Sequence, residues 1–167
     1  MLLNKLFQKA SLTVCCTAIL VVGSISSCSN DSSEDNDLTR PTISLDYNNG
    51  FPQSCAQLQR GETYTFKAMV SDNDELASYS LDIHNNFDHH THDDQGVQCD
   101  LDAVKSAVNP FIYMENFTIE SGLSSYEIEI TLTIPEAIDT GDYHCAYSVT
   151  DITGWQSRTS VDIKIIE

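Results

Sequence analysis

Four of the five histidines of this chain fall in the stretch His84 to Asp94, HNNFDHHTHDD, together with three aspartates. Neutral imidazole is the commonest protein ligand for borderline metal ions near pH 7. Four nitrogens, or three with a carboxylate or water, satisfy the tetrahedral preference of Zn²⁺. Cu²⁺ binds such nitrogens more tightly on intrinsic affinity, so Zn²⁺ is the expected ion and Cu²⁺ the alternative. Ca²⁺ and Mg²⁺ prefer all-oxygen sites, and a set of imidazoles argues against both. The competing reading is a solvated polar loop whose histidines hydrogen-bond locally. A second acidic stretch, SDNDEL at Ser71 to Leu76, has oxygen donors but neither the spacing nor the glycine of an EF-hand loop. It reads as an Asp/Asn turn between strands.

The elements that must hold these residues are short segments with period-two alternation. TISLDY places Ile43, Leu45 and Tyr47 on one face, and TYTFKAMV does the same with Tyr64, Phe66, Ala68 and Val70. SYSLDIH aligns Tyr79, Leu81 and Ile83. YEIEITLTI aligns Tyr126, Ile128, Ile130, Leu132 and Ile134, with Glu127, Glu129, Thr131 and Thr133 on the other side. YHCAYSV and VDIKI add Tyr143, Cys145, Tyr147 and Val149, then Val161, Ile163 and Ile165. IYMENFTI is a weaker strand. A short helix is expected over Leu101 to Val108, capped by Asp100 and ending before Pro110. Strands with one apolar face each imply two packed sheets. GDYHC, a Tyr two residues before a Cys at the start of a late strand, resembles the tyrosine corner of immunoglobulin-like domains. The predicted fold is therefore all-β: an immunoglobulin-like antiparallel sandwich of about seven strands, with a long His/Asp-rich loop after the strand called C. In that scheme YHCAYSV is strand F, beside C.

Alternation then makes a geometric prediction. With Tyr79, Leu81 and Ile83 inward, His84 at the end of C points outward. With Tyr143, Cys145 and Tyr147 inward, His144 at the start of F also points outward. Antiparallel neighbours bring those two ends together, and directly opposed Cβ atoms lie about 4.5–5.5 Å apart. The loop leaving His84 runs from Asn85 to about Pro110, long enough to be functional or disordered, and returns His89, His90 and His92 over the same corner. The expected ligands are His84, His90, His92 and His144, with His89 as the alternative. His90 and His92, two apart in extended chain, project to one side. Asp82, Asp88 and Asp93 are the expected acceptors for the second ring N–H of the ligands.

The N-terminal segment belongs to targeting rather than fold. Lys5 and Lys9 precede an apolar run from Ala10 to Val22, followed by small residues and Cys28. This is the plan of a secretory signal. Ile25-Ser26-Ser27-Cys28 resembles a bacterial lipobox, which implies a signal peptide over 1–27 and lipidation at Cys28. A disordered acidic tether is expected over 28–40, and the sandwich over 41–167. Loss of Lys5 and Lys9 with the signal takes the formal net charge from −17 to −19, which disfavours nucleic acid as a partner. Of the six cysteines, Cys55, Cys99 and Cys145 then remain in an oxidising compartment. The antibody-type core disulfide lacks its second Cys on strand B, so Cys145 is expected as a buried free thiol and Cys55–Cys99 as the disulfide. Pairing of either with Cys145 stays open.

SLDIHNNFDHHTHD followed by GDYHCAYSVTDITGW resembles a family of Bacteroides-type lipoproteins carrying an immunoglobulin-like domain of unknown function. Its pattern, Ile-His-x-Asn-Phe-Asp-x-His-x-His, falls on Ile83, His84, Asn86, Phe87, Asp88, His90 and His92. The resemblance favours His90 over His89 and implies an outer-membrane lipoprotein, at the cell surface or periplasmic face. It brings no activity. The expected function is a lipid-anchored extracytoplasmic metal-binding protein for acquisition, delivery or buffering, with an outer-membrane transporter as partner. The alternative is a non-metal interaction module, an adhesin or a subunit of a surface assembly. No nucleophile or general base with diagnostic spacing appears, so an enzyme is not expected, and no catalytic residue is assigned.

Overall fold

The computed structural model describes residues 37–92, 96–97 and 99–167. The signal peptide, Cys28 and the tether up to residue 36 lie outside the described residues, as does Asp93. Among those described the chain is all-β, with eight strands: β1 (Thr42–Ser44), β2 (Ala56–Gln59), β3 (Thr63–Ser71), β4 (Leu76–Asn85), β5 (Tyr113–Thr118), β6 (Ser125–Thr133), β7 (Gly141–Asp151) and β8 (Gln156–Ile166). They form two sheets, ordered β1-β3-β6 and β2-β8-β7-β4-β5. The alternating apolar faces meet between the sheets: Phe66, Ala68 and Val70 from β3 and Ile128 and Ile130 from β6 pack toward Leu81, Ile83, Cys145, Tyr147 and Ile163, all in one buried cluster. The weak segment IYMENFTI is β5, paired with β4 at the sheet edge. Tyr143 donates its hydroxyl proton to the carbonyl of Asp139, four residues upstream, at 2.6 Å. That is the contact expected of a tyrosine corner.

Three elements depart from the sequence reading. β2, AQLQ, has no alternation to announce it and pairs parallel with β8. The partner strand makes it a strand. The helix expected over Leu101 to Val108 does not form, and Asp100 caps nothing: this segment carries no regular structure. An eight-residue segment is below the length at which a helix sustains itself in water. Its amide groups are taken by distant acceptors instead. Asp102 N–H donates to Asp142 Oδ2 at 2.7 Å and Lys105 N–H to the carbonyl of Phe87 at 3.0 Å. Val108 and Asn109 both donate to Asp139 Oδ2. Finally, the last residues of the expected tether are docked. Trp155 Nε1–H donates to the Asp37 carbonyl at 2.9 Å, and the Arg40 guanidinium lies 4.8 Å from the Trp155 ring centroid. An indole that can stack a cation and donate to a carbonyl holds the entering chain where composition alone reads as spacer.

The long loop is pinned along its length. Asn86 N–H donates to the Asp142 carbonyl at 2.8 Å. Phe87 is buried, with its ring edge-on to Tyr143. Cys55 and Cys99 are joined by a disulfide with Cα atoms 5.6 Å apart, while Cys145 is a buried free thiol. Gly96 N–H reaches the Ser160 carbonyl on β8. The loop therefore lies across the outer face of β7, whose residues Gly141–Tyr147 are consequently buried on both sides.

Candidate metal centre

The strand register sets His84 directly opposite His144 between β4 and β7. Both side chains lie on the face away from the sheet–sheet core, because Ile83 and Cys145 beside them fill it. The loop then turns back. His89 has a positive φ of 60° and Asn86 accepts its N–H, so the chain reverses at this residue. As a result His89 faces the other way, with Nε2 2.9 Å from the Asp102 carbonyl. His90 and His92 come back over the corner. The four rings of His84, His90, His92 and His144 cluster with ring-centroid distances of 4.8 to 5.5 Å, His84 and His90 stacked and the other pairs edge-on. His84 Nε2 is 3.2 Å from His92 Nε2 and 3.3 Å from His90 Nε2. His84, His90 and His92 form a group able to hold a metal ion.

Two carboxylates set the tautomers. His84 Nδ1–H donates to Asp82 Oδ1 at 2.9 Å and His90 Nδ1–H to Asp88 Oδ1 at 2.6 Å. Each bond holds the accepting carboxyl below its ordinary range. A neutral ring with its proton on Nδ1 has a lone pair on Nε2. With both rings neutral, the Nε2 atoms of His84 and His90 offer two lone pairs to the space between them, 3.3 Å apart. Burial, reinforced by the neighbouring imidazoles, keeps the His92 pKa below its ordinary 6.5, which favours the neutral ring there.

His144 differs from the other three. It is 0% exposed, because the loop covers the outer face on which it stands. Its Nε2 is 3.2 Å from the His90 carbonyl oxygen and its Nδ1 2.8 Å from Asp162 Oδ1, the latter out of line for a straight hydrogen bond. Both neighbours are acceptors, and a neutral ring has one N–H, so one of them always faces a lone pair. Burial lowers the His144 pKa, with the contacts to the His90 carbonyl and Asp162 acting against it. A ring held neutral against two acceptors is relieved if Nδ1–H turns to Asp162 and Nε2 moves to a cation. Tetrahedral Zn²⁺ at about 2.0–2.1 Å from each nitrogen sets neighbouring nitrogens about 3.3–3.4 Å apart. The two Nε2 separations, 3.2 and 3.3 Å, lie close to that spacing.

Residues 26–166 match the family described as a domain of unknown function, DUF4625. The chain belongs to the DUF4625 family. No curated protein matches it by sequence. Among solved structures it is similar to the sporulation control protein Spo0M from Bacillus subtilis, at 10% identity and a TM-score of 0.36. That match covers 77% of this chain and 49% of the other, so the DUF4625 chain spans about half of that protein's length. A likeness so remote carries no argument about function.

In this DUF4625 domain Asp82 and Asp88 stand where the sequence reading put them, each on a histidine Nδ1. The residue it missed is Asp162, 3% exposed and registered opposite His144 on β8. The alternation of VDIKI held the clue: with Val161 and Ile163 inward, Asp162 must share the outer face with His144.

Proposed function

We propose that this chain binds zinc outside the cytoplasm, as a lipid-anchored protein that captures the ion and hands it on. The observation that carries this reading is the convergence of the Nε2 atoms of His90 and His92 on that of His84, at 3.3 and 3.2 Å, with carboxylates on the Nδ1 atoms of His84 and His90. A cation between the three nitrogens would use all of their lone pairs and leave both carboxylate bonds intact. His92 supplies a third nitrogen, and His144 or a water the fourth. The nitrogen spacing favours tetrahedral Zn²⁺ over square-planar Cu²⁺, whose adjacent nitrogens would sit about 2.8 Å apart at right angles and a similar bond length. Placement outside the cytoplasm is supported by the Cys55–Cys99 disulfide. The lipobox-like Ile25-Ser26-Ser27-Cys28 supports the anchor. An outer-membrane transporter is the partner that such a protein would supply or receive from. Ligands carried largely on one loop suit transfer, because a loop can release its nitrogens while the sandwich stays folded.

Elemental analysis and calorimetric titration of the untagged chain test the reading. One zinc per chain is expected, with binding lost in the double variant His90→Ala, His92→Ala and the thermal unfolding of that variant otherwise preserved. His144 is unsuitable for this test, because its removal would take away an imidazole that lies 2.8 Å from the buried Asp162 carboxylate. Absence of zinc uptake by the native chain, or native affinity in the double variant, defeats the proposal.

A further inference from the structure

Three carboxylates converge at the other end of the β4–β7 pair. Asp37 precedes β1, Asp72 follows the last residue of β3, and Asp151 ends β7. One oxygen of each lies within 4.8 Å of the others. The two oxygens of every group are in different situations. Asp37 Oδ1 accepts from Thr39 N–H at 2.9 Å and from Asn73 Nδ2–H at 3.0 Å. Asp72 Oδ1 accepts from Asn73 N–H at 2.7 Å. Asp151 Oδ1 accepts from the Thr153 hydroxyl at 2.8 Å and Trp155 N–H at 2.9 Å. All three Oδ2 atoms are buried and have no hydrogen-bond partner. Asp151 as a whole is only 2% exposed.

Each carboxylate is thus oriented through one oxygen, while its other oxygen is buried and meets no N–H or O–H of the described residues. Buried carboxylates without donors are costly, and three together repel one another. Burial, with the charges of Asp37 and Asp151 added, raises the Asp72 pKa above its ordinary value. Oxygens bound to one Ca²⁺ lie about 2.3–2.6 Å from it, so two of them are at most about 5 Å apart. The triad fits within that span. We propose that Asp37, Asp72 and Asp151 form a calcium site, independent of the histidine centre. Three hard anionic oxygens with no nitrogen or sulfur select against zinc. Ca²⁺ tolerates irregular geometry and completes its shell with water or carbonyl oxygens, whereas Mg²⁺ demands a near-ideal octahedron. A bound ion would join the point where the chain enters the domain to the β3–β4 turn and the end of β7, turning a repulsive cluster into a clamp.

The chain's single tryptophan, Trp155, makes the test direct. Its Nε1–H is bonded to the Asp37 carbonyl, so Tb³⁺ seated in the triad should luminesce when the indole is excited. With the full chain stripped of metal by chelation, indole-sensitised emission should saturate at one Tb³⁺, fall on addition of Ca²⁺, and persist in His90→Ala, His92→Ala. Ca²⁺ should raise the melting temperature of the native chain. Asp151→Asn should lose both responses. Asp72→Asn should raise the metal-free melting temperature, by relieving repulsion, while losing the calcium response; this variant decides the matter if Asp151→Asn does not fold. No emission and no thermal response at millimolar Ca²⁺ in the native chain would overturn the proposal. So would native emission in Asp72→Asn. Neither result bears on zinc uptake, which is read separately.

Discussion

The two ends of the β4–β7 pair concentrate opposite kinds of donor. The register sets Leu76 opposite Asp151 and His84 opposite His144, so the ends are roughly 25 Å apart along the strands. At the histidine end, carboxylates are the supporting groups: Asp82 and Asp88 sit behind imidazoles and aim them, and Asp162 lies beside His144 Nδ1. At the aspartate end, carboxylates are themselves aimed, by Asn73, Thr153 and Trp155. The same side chain therefore stands behind a nitrogen donor at one end and offers its own oxygen as a candidate ligand at the other. Neutral nitrogens can crowd together at modest cost as long as they stay unprotonated, whereas anionic oxygens brought together need a cation or a proton to offset them. If both proposals hold, that contrast gives the two ends different ion preferences and different responses to pH.

Removing the disulfide should separate the two ends most strongly. It closes a loop with a sequence separation of 44 residues and ties the histidine-bearing segment to β2. Cys55→Ser with Cys99→Ser should cost about 4 kcal/mol of stability on the chain-entropy account, read by urea unfolding. Zinc affinity should weaken with it, while Tb³⁺ emission from the aspartate end stays at the native level wherever the domain remains folded. Equal losses at both ends would mean that they are not independent.

Asp82→Asn keeps the shape of the side chain and removes the charge behind His84. It should weaken zinc binding by about 10–100-fold, measured by competition with a chelator, and leave calcium affinity unchanged. An unchanged zinc constant would show that His84 does not need its carboxylate.

Acidification sharpens the comparison further. The pKa values of His92 and His144 are held below the ordinary 6.5, mainly by burial. Between that value and the lowered ones the unfolded chain binds more protons than the folded chain. The metal-free domain therefore loses stability as pH falls through about 6.5 and stops losing it, on this account, below the folded values. Zinc binding needs neutral imidazoles and should fall at lower pH still, as the folded rings themselves take up protons. The calcium response should outlast it, fading only as the carboxylates protonate. A pH series of melting temperatures with each ion checks the order, and simultaneous loss of both responses would contradict it.

The smallest effect is expected between the two ends. Lys67 and Glu129 pair at 3.1 Å on the outer face of the other sheet, with the Glu129 side chain 57% exposed. Glu129→Gln should change stability by at most about 1 kcal/mol and move neither metal response.

The histidine centre was legible because it obeys strand alternation. Ile83 inward forces His84 outward, Cys145 inward forces His144 outward, and antiparallel neighbours bring the two together. The same rule reached β3, β4, β6, β7 and β8, whose apolar faces are regular. It failed where a partner rather than a pattern makes the structure. AQLQ becomes β2 because β8 offers it a parallel edge. LDAVKSAV stays irregular because Asp142, Asp139 and the Phe87 carbonyl take its amides. His144 was expected on the outer face beneath the returning loop, and the loop that carries its neighbours covers it completely. The aspartate triad was legible only in part: the SDNDEL stretch with Asp72 showed oxygen donors but reads as a turn, and Asp37 lies in a stretch that composition marks as spacer.

The amino-acid order by itself determined which residues alternate, and hence which face each strand side chain takes, because that follows from the pleat of a single strand. It also placed the His90 and His92 ligand candidates near His84, since they are close in the chain. Only the tertiary structure decided which nitrogens meet which acceptors, that His144 is sealed beneath the loop, and that three distant aspartates share one point. Those outcomes depend on contacts between segments far apart in sequence, whose geometry no local periodicity encodes.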